Sequence, residues 1–128
     1  MKKFTKMCAV AACALFAGTA TVSAEDYVWK SVTAGDATTY GIRSDGSLWS
    51  WGWNEKGQSG NGVSERTATP TLADGNRVWK KTVGGKAYGF FLAEDGSLWA
   101  AGTATNGVQG TNDGVDHKVL TLPLMQTA

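Results

Sequence analysis

The sequence predicts an all-β protein of two four-stranded, propeller-type blades, a partial propeller, and three observations carry that reading. Asp45-Gly46-Ser47-Leu48-Trp49 returns as Asp95-Gly96-Ser97-Leu98-Trp99, an offset of 50 residues, and residues 28–62 lie over 78–112 without a gap. A period of that length marks a repeat in which each copy is one supersecondary unit that buries its faces on its neighbours. Apolar residues alternate within short runs bounded by turn residues, the pattern of half-buried strands. Glycine supplies 16 of the 104 residues after Ala24, and no helix start is followed by a stripe of period 3.6.

The chain opens on Lys2, Lys3 and Lys6, runs through an apolar segment from Met7 to Ala17 and reaches Val22-Ser23-Ala24. This layout predicts a secretory signal peptide over residues 1–24, cleaved after Ala24. The apolar run is shorter than the roughly 20 residues that a membrane span needs. A second expectation is a lipoprotein signal ending on Val10-Ala11-Ala12-Cys13. Either way Cys8 and Cys13 both lie in the leader, so the mature chain has no disulfide and relies on packing. Without the leader lysines, nine basic residues face eleven acidic ones, a formal charge of −2. That balance argues against a nucleic-acid surface, which needs clustered Lys and Arg. No later run of 18 apolar residues predicts a membrane span. The expected product is exported, periplasmic or extracellular, with one repeat over residues 25–77 and another over 78–128.

Within each repeat the strands follow in order. The first is expected at Trp29 to Thr33 and Trp79 to Val83, the second at Thr39 to Arg43 and Tyr88 to Ala93, and the third at Leu48 to Trp53 and Leu98 to Ala101. Asp45-Gly46 and Asp95-Gly96 join the second and third, and Asp-Gly between alternating apolar runs is a strong hairpin signal. A fourth strand follows a long Gly-rich loop, at Ala68 to Leu72 and Lys118 to Leu122. Four antiparallel strands in about 50 residues is the size of one propeller blade. Alternation puts Trp49, Trp51 and Trp53 on one face and Leu48, Ser50 and Gly52 on the other.

Candidate chemistry is sparse. Asp45 and Asp95 occupy equivalent turns and read as turn residues rather than as an acid–base pair. His117 has no cysteine, second histidine or patterned carboxylate near it in sequence, so it reads as a loop residue. The loop Gly57-Gln58-Ser59-Gly60-Asn61-Gly62 lacks the Lys and the following helix of a phosphate cradle. Asp113, Gly114 and Asp116 read as a turn, their spacing being unlike that of an EF-hand. No catalytic residue, metal site or cofactor is predicted. Trp29, Trp49, Trp79 and Trp99 match across the repeat and are expected in the core. Trp51 and Trp53 face Ala101 and Thr103 in the second copy. Trp51, Trp53, Asn54, Glu55 and Lys56 are therefore the candidate binding residues, since an exposed Trp beside polar side chains can stack on a sugar or anchor a protein contact.

The run from Asp45 to Gly60, preceded by Trp29-Lys30-Ser31-Val32-Thr33-Ala34-Gly35, resembles the repeat of the regulator of chromosome condensation family. The resemblance implies a four-stranded blade per copy, in a family whose members usually close about seven blades into a ring. It departs from the pattern at Thr38 and Tyr88, where the family usually has a His, and at Ala101, Ala104 and Val108, where the second copy has lost a Trp, an Asn and a Gln. Two blades do not close a ring, so the chain is expected to be a fragment, a self-assembling unit or a small open sandwich. By resemblance the function is a non-enzymatic exported interaction or scaffold module that binds a protein partner or itself. The alternatives are a lectin-like glycan-binding module and an inhibitor of a cell-wall enzyme or β-lactamase.

Overall fold

A computed structural model describes residues 27–123. The expected leader, its cleavage point after Ala24 and Cys13 lie outside the described residues. Eight strands form two antiparallel sheets in simple meander order. The first holds β1 (Trp29–Ala34), β2 (Thr38–Arg43), β3 (Leu48–Gly52) and β4 (Thr67–Asp74); the second holds β5 (Trp79–Gly84), β6 (Tyr88–Ala93), β7 (Leu98–Gly102) and β8 (His117–Thr121). Every expected strand is present. β4 is longer than the sequence suggested, because two register shifts let it follow β3 from Gly52–Thr67 to Leu48–Asp74.

The recurrence of Asp-Gly-Ser-Leu-Trp has a local cause. Gly46 adopts φ 85° in the β2–β3 turn, a conformation that glycine enters at no steric cost. Asp45 Oδ1 accepts the Ser47 N–H at 3.0 Å and the Ser47 hydroxyl at 2.6 Å, and Ser47 Oγ in turn accepts Trp49 Nε1–H at 2.8 Å. Asp95, Ser97 and Trp99 repeat the relay at 2.9, 2.6 and 2.8 Å. The carboxylate orders the turn, and the turn fixes the orientation of the indole.

The sheets stack face to face with unlike faces in contact. Tyr40, Ile42 and Leu48 of the first sheet bury against Trp79, Phe91, Ala93 and Ala101 of the second. Tyr40 meets Phe91 edge to face with ring centres 5.1 Å apart, and Phe91 meets Trp79 at 6.2 Å. Gly89 leaves room for this contact, since a Cβ there would lie 2.8 Å from the Tyr40 hydroxyl. That hydroxyl donates to the Gln58 carbonyl at 2.8 Å, and burial pushes its pKa upward. At the inner edge β1 and β5 approach backbone to backbone; a Cβ on Gly35 would stand 2.5 Å from the Gly85 carbonyl oxygen. The Thr33 and Thr82 hydroxyls bond across the same seam.

Two sequence expectations change. Of the four Trp expected in the core, only Trp79 is wholly buried, whereas Trp29 is 40% exposed and Trp49 and Trp99 are half-buried. For Trp29 and Trp79 the reason is the direction of stacking: the first sheet covers the face that carries Trp79, and no other described sheet covers the face that carries Trp29; Trp99 shares the face of Trp79 but packs against the core only in part. Trp53, expected as the last residue of the third strand, falls outside β3, which ends at Gly52 with φ 106°; its N–H donates to the Ala37 carbonyl at 2.8 Å.

Candidate functional site

The five candidate binding residues divide between two places. Trp51 lies in β3 on the open face, its ring centre 5.6 Å from that of Trp29. Trp29 meets Trp49 edge to face at 6.5 Å and lies across Gly41, where a Cβ would come within 2.4 Å of the indole. The Arg43 guanidinium sits 3.7 Å from the Trp49 ring centre and 5.1 Å from that of Trp29. Three indoles and one cation thus form a continuous half-exposed platform, in which the planar guanidinium is held by the ring faces. Sequence reasoning overlooked Arg43. The signal was available, because strand alternation opposite Trp29 puts Gly41 and Arg43 on the face of Trp49 and Trp51.

Trp53, Asn54, Glu55 and Lys56 lie at the end of β3, in the loop that leads to β4. Asn54 is 0% exposed and staples that loop. Its Nδ2 donates to the Val63 and Glu65 carbonyls at 3.0 and 3.1 Å, and its Oδ1 accepts the Ser59 N–H at 2.9 Å. Its side chain is committed to the loop and does not face solvent. Trp53 is half-buried beside Arg66, and the two line a hollow of about 420 Å³ with Gly52, Thr67 and Ala68. Glu55 and Lys56 are exposed. Lys56 Nζ reaches Asp116 of the second repeat at 3.6 Å, a surface pair of small energetic weight.

The second repeat holds its own loop differently. Where the first has Asn54 it has Ala104, whose N–H is accepted by Asp116 Oδ1 at 3.0 Å; the same oxygen accepts the Thr103 hydroxyl at 3.1 Å. Gln109, one place beyond the lost Gln, is buried and donates to the Thr103 carbonyl at 3.0 Å. The Ala104 N–H is the main cause that holds the Asp116 carboxyl below its ordinary pKa. A carboxyl so lowered favours the folded state above its unfolded pKa, and that contribution is lost as pH falls through the folded value. Asp116→Asn is therefore expected to lower Tm slightly at neutral pH and to flatten the acid limb of a plot of Tm against pH below about 4, so that the two curves converge at acid pH. An unaltered acid limb would show that another carboxyl governs it.

The remaining candidates have structural partners. Asp45 and Asp95 serve the turn relays described above. His117 begins β8 rather than lying in a loop, and its Nε2 is 2.9 Å from Asp113 Oδ2. The Asp113 carboxyl is held low chiefly by the Val115 N–H. Among the described residues no group of three His, Cys, Asp or Glu is placed to hold a metal ion.

Comparison with known proteins matches two family models to this chain, both described as the regulator of chromosome condensation (RCC1) repeat, over residues 29–58 and 45–92. The human protein RCC2 is 42% identical over 48 residues, which are 36% of this chain and 9% of that protein. The zebrafish (Danio rerio) RCC2 homolog is 50% identical over 34 residues, 27% of this chain and 7% of that one. Among solved structures, human WBSCR16 superposes with a TM-score of 0.66 at 20% identity, over 73% of this chain and 25% of that chain. Yeast Prp20p, from Saccharomyces cerevisiae, superposes at 0.65 and 19% identity, over 73% and 26%. The matched stretch is thus less than a tenth of the curated relatives' length and about a quarter of the solved chains.

Proposed function

Because this chain belongs to the regulator of chromosome condensation (RCC1) repeat family, we propose that it is a non-enzymatic, exported protein-binding module that meets its partner at the end of β3. The observation that carries this reading is the loop built on Asn54: it is internally bonded before any partner arrives and places Trp53 beside Arg66 on a hollow, with Glu55 and Lys56 next to it. Trp and Arg are the residue types that most often dominate protein contacts, and a loop ordered in advance avoids the entropy of ordering on binding. Structures of the yeast neighbour describe its binding to Gsp1p and histones and its complex with Kap60, which supports a protein-binding use of these repeats. Export rests on the leader, residues 1–24.

A photo-crosslinking residue placed at Glu55 identifies the partner, and titration of the purified partner against Trp53→Ala measures the contact. The expected loss is about 2 kcal/mol, roughly 30-fold in Kd, with unchanged thermal unfolding. Unaltered affinity would remove Trp53 from the contact. The hollow lined by Trp53, Arg66 and Thr67 favours a second reading, a sugar stacked on the indole. Glycan-array binding by the native chain that is lost in Trp53→Ala would select it, and an empty array beside a measured protein partner would exclude it.

A further inference from the structure

A hollow of about 250 Å³ lies between the two repeats, beside the last strand of each sheet. Ala73, Asp74 and Arg77 line it from the end of β4 and the linker to β5, Asn61 from the loop before β4, and Val119 and Leu120 from β8. All its walls come from within the pair of repeats. The framework residues of this chain recur at an offset of 50, but the lining of the hollow does not. Tyr27 stands in the place of Arg77, Thr111 in that of Asn61, and Thr69 and Pro70 in those of Val119 and Leu120. Its chemistry is particular to this junction.

The cation in the hollow is held in place without any ligand. Arg77 Nη1 donates to Asp74 Oδ1 at 3.1 Å and the Arg77 N–H to Asp74 Oδ2 at 3.0 Å, while the guanidinium lies 3.9 Å from the ring centre of Trp99, an indole itself fixed by Ser97. The guanidinium has further N–H groups in the same plane, and because the fork is already ordered, an anion that accepts from it costs little side-chain entropy. Asp74 is 8% exposed and both its oxygens are engaged, Oδ2 by the Trp79 Nε1–H as well. Its charge beside Arg77 favours a monoanion over a dianion such as phosphate. Asn61 Oδ1 accepts the Val63 N–H at 3.3 Å and Asn54 Nδ2–H at 3.4 Å, which assigns Nδ2 as the donor left over.

We infer that this hollow binds a carboxylate carried on a short aliphatic stem, the chemistry of an aliphatic residue at the C-terminus of a peptide. The carboxylate accepts from the free N–H groups of Arg77 and from Asn61 Nδ2, a charge-assisted contact that suits the planar fork. The stem lies against Ala73, Val119 and Leu120, and Val119 is 56% exposed without it. The volume is below the roughly 300–1,000 Å³ of pockets that enclose drug-sized ligands, so the hollow takes one residue and not a continuous chain. It shares no lining residue with the hollow beside Trp53, and Trp53→Ala is expected to leave it unchanged.

Titration of the ¹⁵N-labelled chain with N-acetyl-leucine, read at the Arg77 Nε–H and the Asn61 side-chain amide by NMR, tests the site. The shifts are expected to saturate with a Kd of about 1 mM and to weaken as salt is added. N-acetyl-leucinamide, which has the same stem and no charge, is expected to move neither signal. Arg77→Lys keeps the charge and loses the planar fork, and an about ten-fold weaker affinity is expected. Asn61→Asp keeps the acceptor for Val63 and Asn54 but turns the remaining donor into an oxygen that repels the ligand, so binding is expected to vanish with the native spectrum retained elsewhere. That variant carries the test should Arg77→Lys disturb the fold. Equal shifts with the amide, undiminished binding by Asn61→Asp, or no saturation by about 10 mM overturns the proposal. Equal binding of inorganic phosphate overturns it too, by showing a site for any anion.

Discussion

Trp79→Ala is expected to destabilise the folded chain by about 3–5 kcal/mol, the usual cost of removing a large buried aromatic. For a small domain with roughly 5–15 kcal/mol in total, such a loss removes a large fraction of the stability. Two effects combine. The indole is 0% exposed and packs on Phe91, so its removal opens a cavity between the sheets where little can relax. Its Nε1–H also donates to Asp74 Oδ2 at 3.0 Å, an acid that already holds the Arg77 guanidinium at 3.1 Å and the Arg77 N–H at 3.0 Å. Trp79→Phe separates the two, since it keeps most of the volume and loses the hydrogen bond, and it is expected to cost about 1–3 kcal/mol. Trp29→Ala is the control. It changes the same residue in the same Val-Trp-Lys context, yet Trp29 is 40% exposed, and the expected loss is about half that of Trp79→Ala, because part of its surface stays in water in the folded chain. Urea unfolding with a common m-value measures all three. Equal losses for Trp29 and Trp79 would show that the outer face of the first sheet is covered as thoroughly as the inner one.

Asn54→Ala carries the second large effect. It deprives the Val63 and Glu65 carbonyls and the Ser59 N–H of their partner at once. Each buried polar group left without a partner costs about 1–3 kcal/mol; solvent reaches the exposed Val63 and Glu65 positions more readily than it reaches Ser59, so the expected total is about 2–4 kcal/mol. Hydrogen exchange then distinguishes a local event from a global one, with amides of residues 57–62 losing protection beyond the global change. Asn54→Asp tests the chemistry at constant shape. A carboxylate there would face two carbonyl oxygens where the amide donated, so its pKa in the folded state is raised by burial and by those acceptors. The raised value makes the variant most stable at acid pH, and its stability falls as pH rises through and above the ordinary carboxylate range. A variant whose stability instead climbs with pH would mean that water or a cation has entered the loop.

Much of the fold was legible in the sequence because its causes are local. Asp45-Gly46 and Asp95-Gly96 dictate hairpins through their own backbone preferences and side-chain acceptors, and the alternation in β2, β3, β6 and β7 needs only the pleat of a strand. The candidate site was legible only in outline. The run from Trp51 to Lys56 was marked by its loss from the second copy, but nothing in the run itself reveals that β3 ends at Gly52 or that Asn54 points inward. Arg43, in β2, and Arg66, just before β4, were missed because they lie elsewhere in the chain and come near the indoles only once the strands have paired. Asp116 and Gln109 were missed because they replace the lost Asn and Gln from different places in the chain.

By itself the sequence determined the repeat, the eight strands and their order, and the turns that join them. Only the tertiary structure decided which copy of each matched residue is buried. Trp29 and Trp79 stand in the same tripeptide, Val-Trp-Lys, and nothing local separates them. One is sealed and the other open because the first sheet lies over the face that carries Trp79, and no described sheet lies over the face that carries Trp29. Burial depends on what packs against a face, and in a stack of like units that is set by position in the stack and not by the residue.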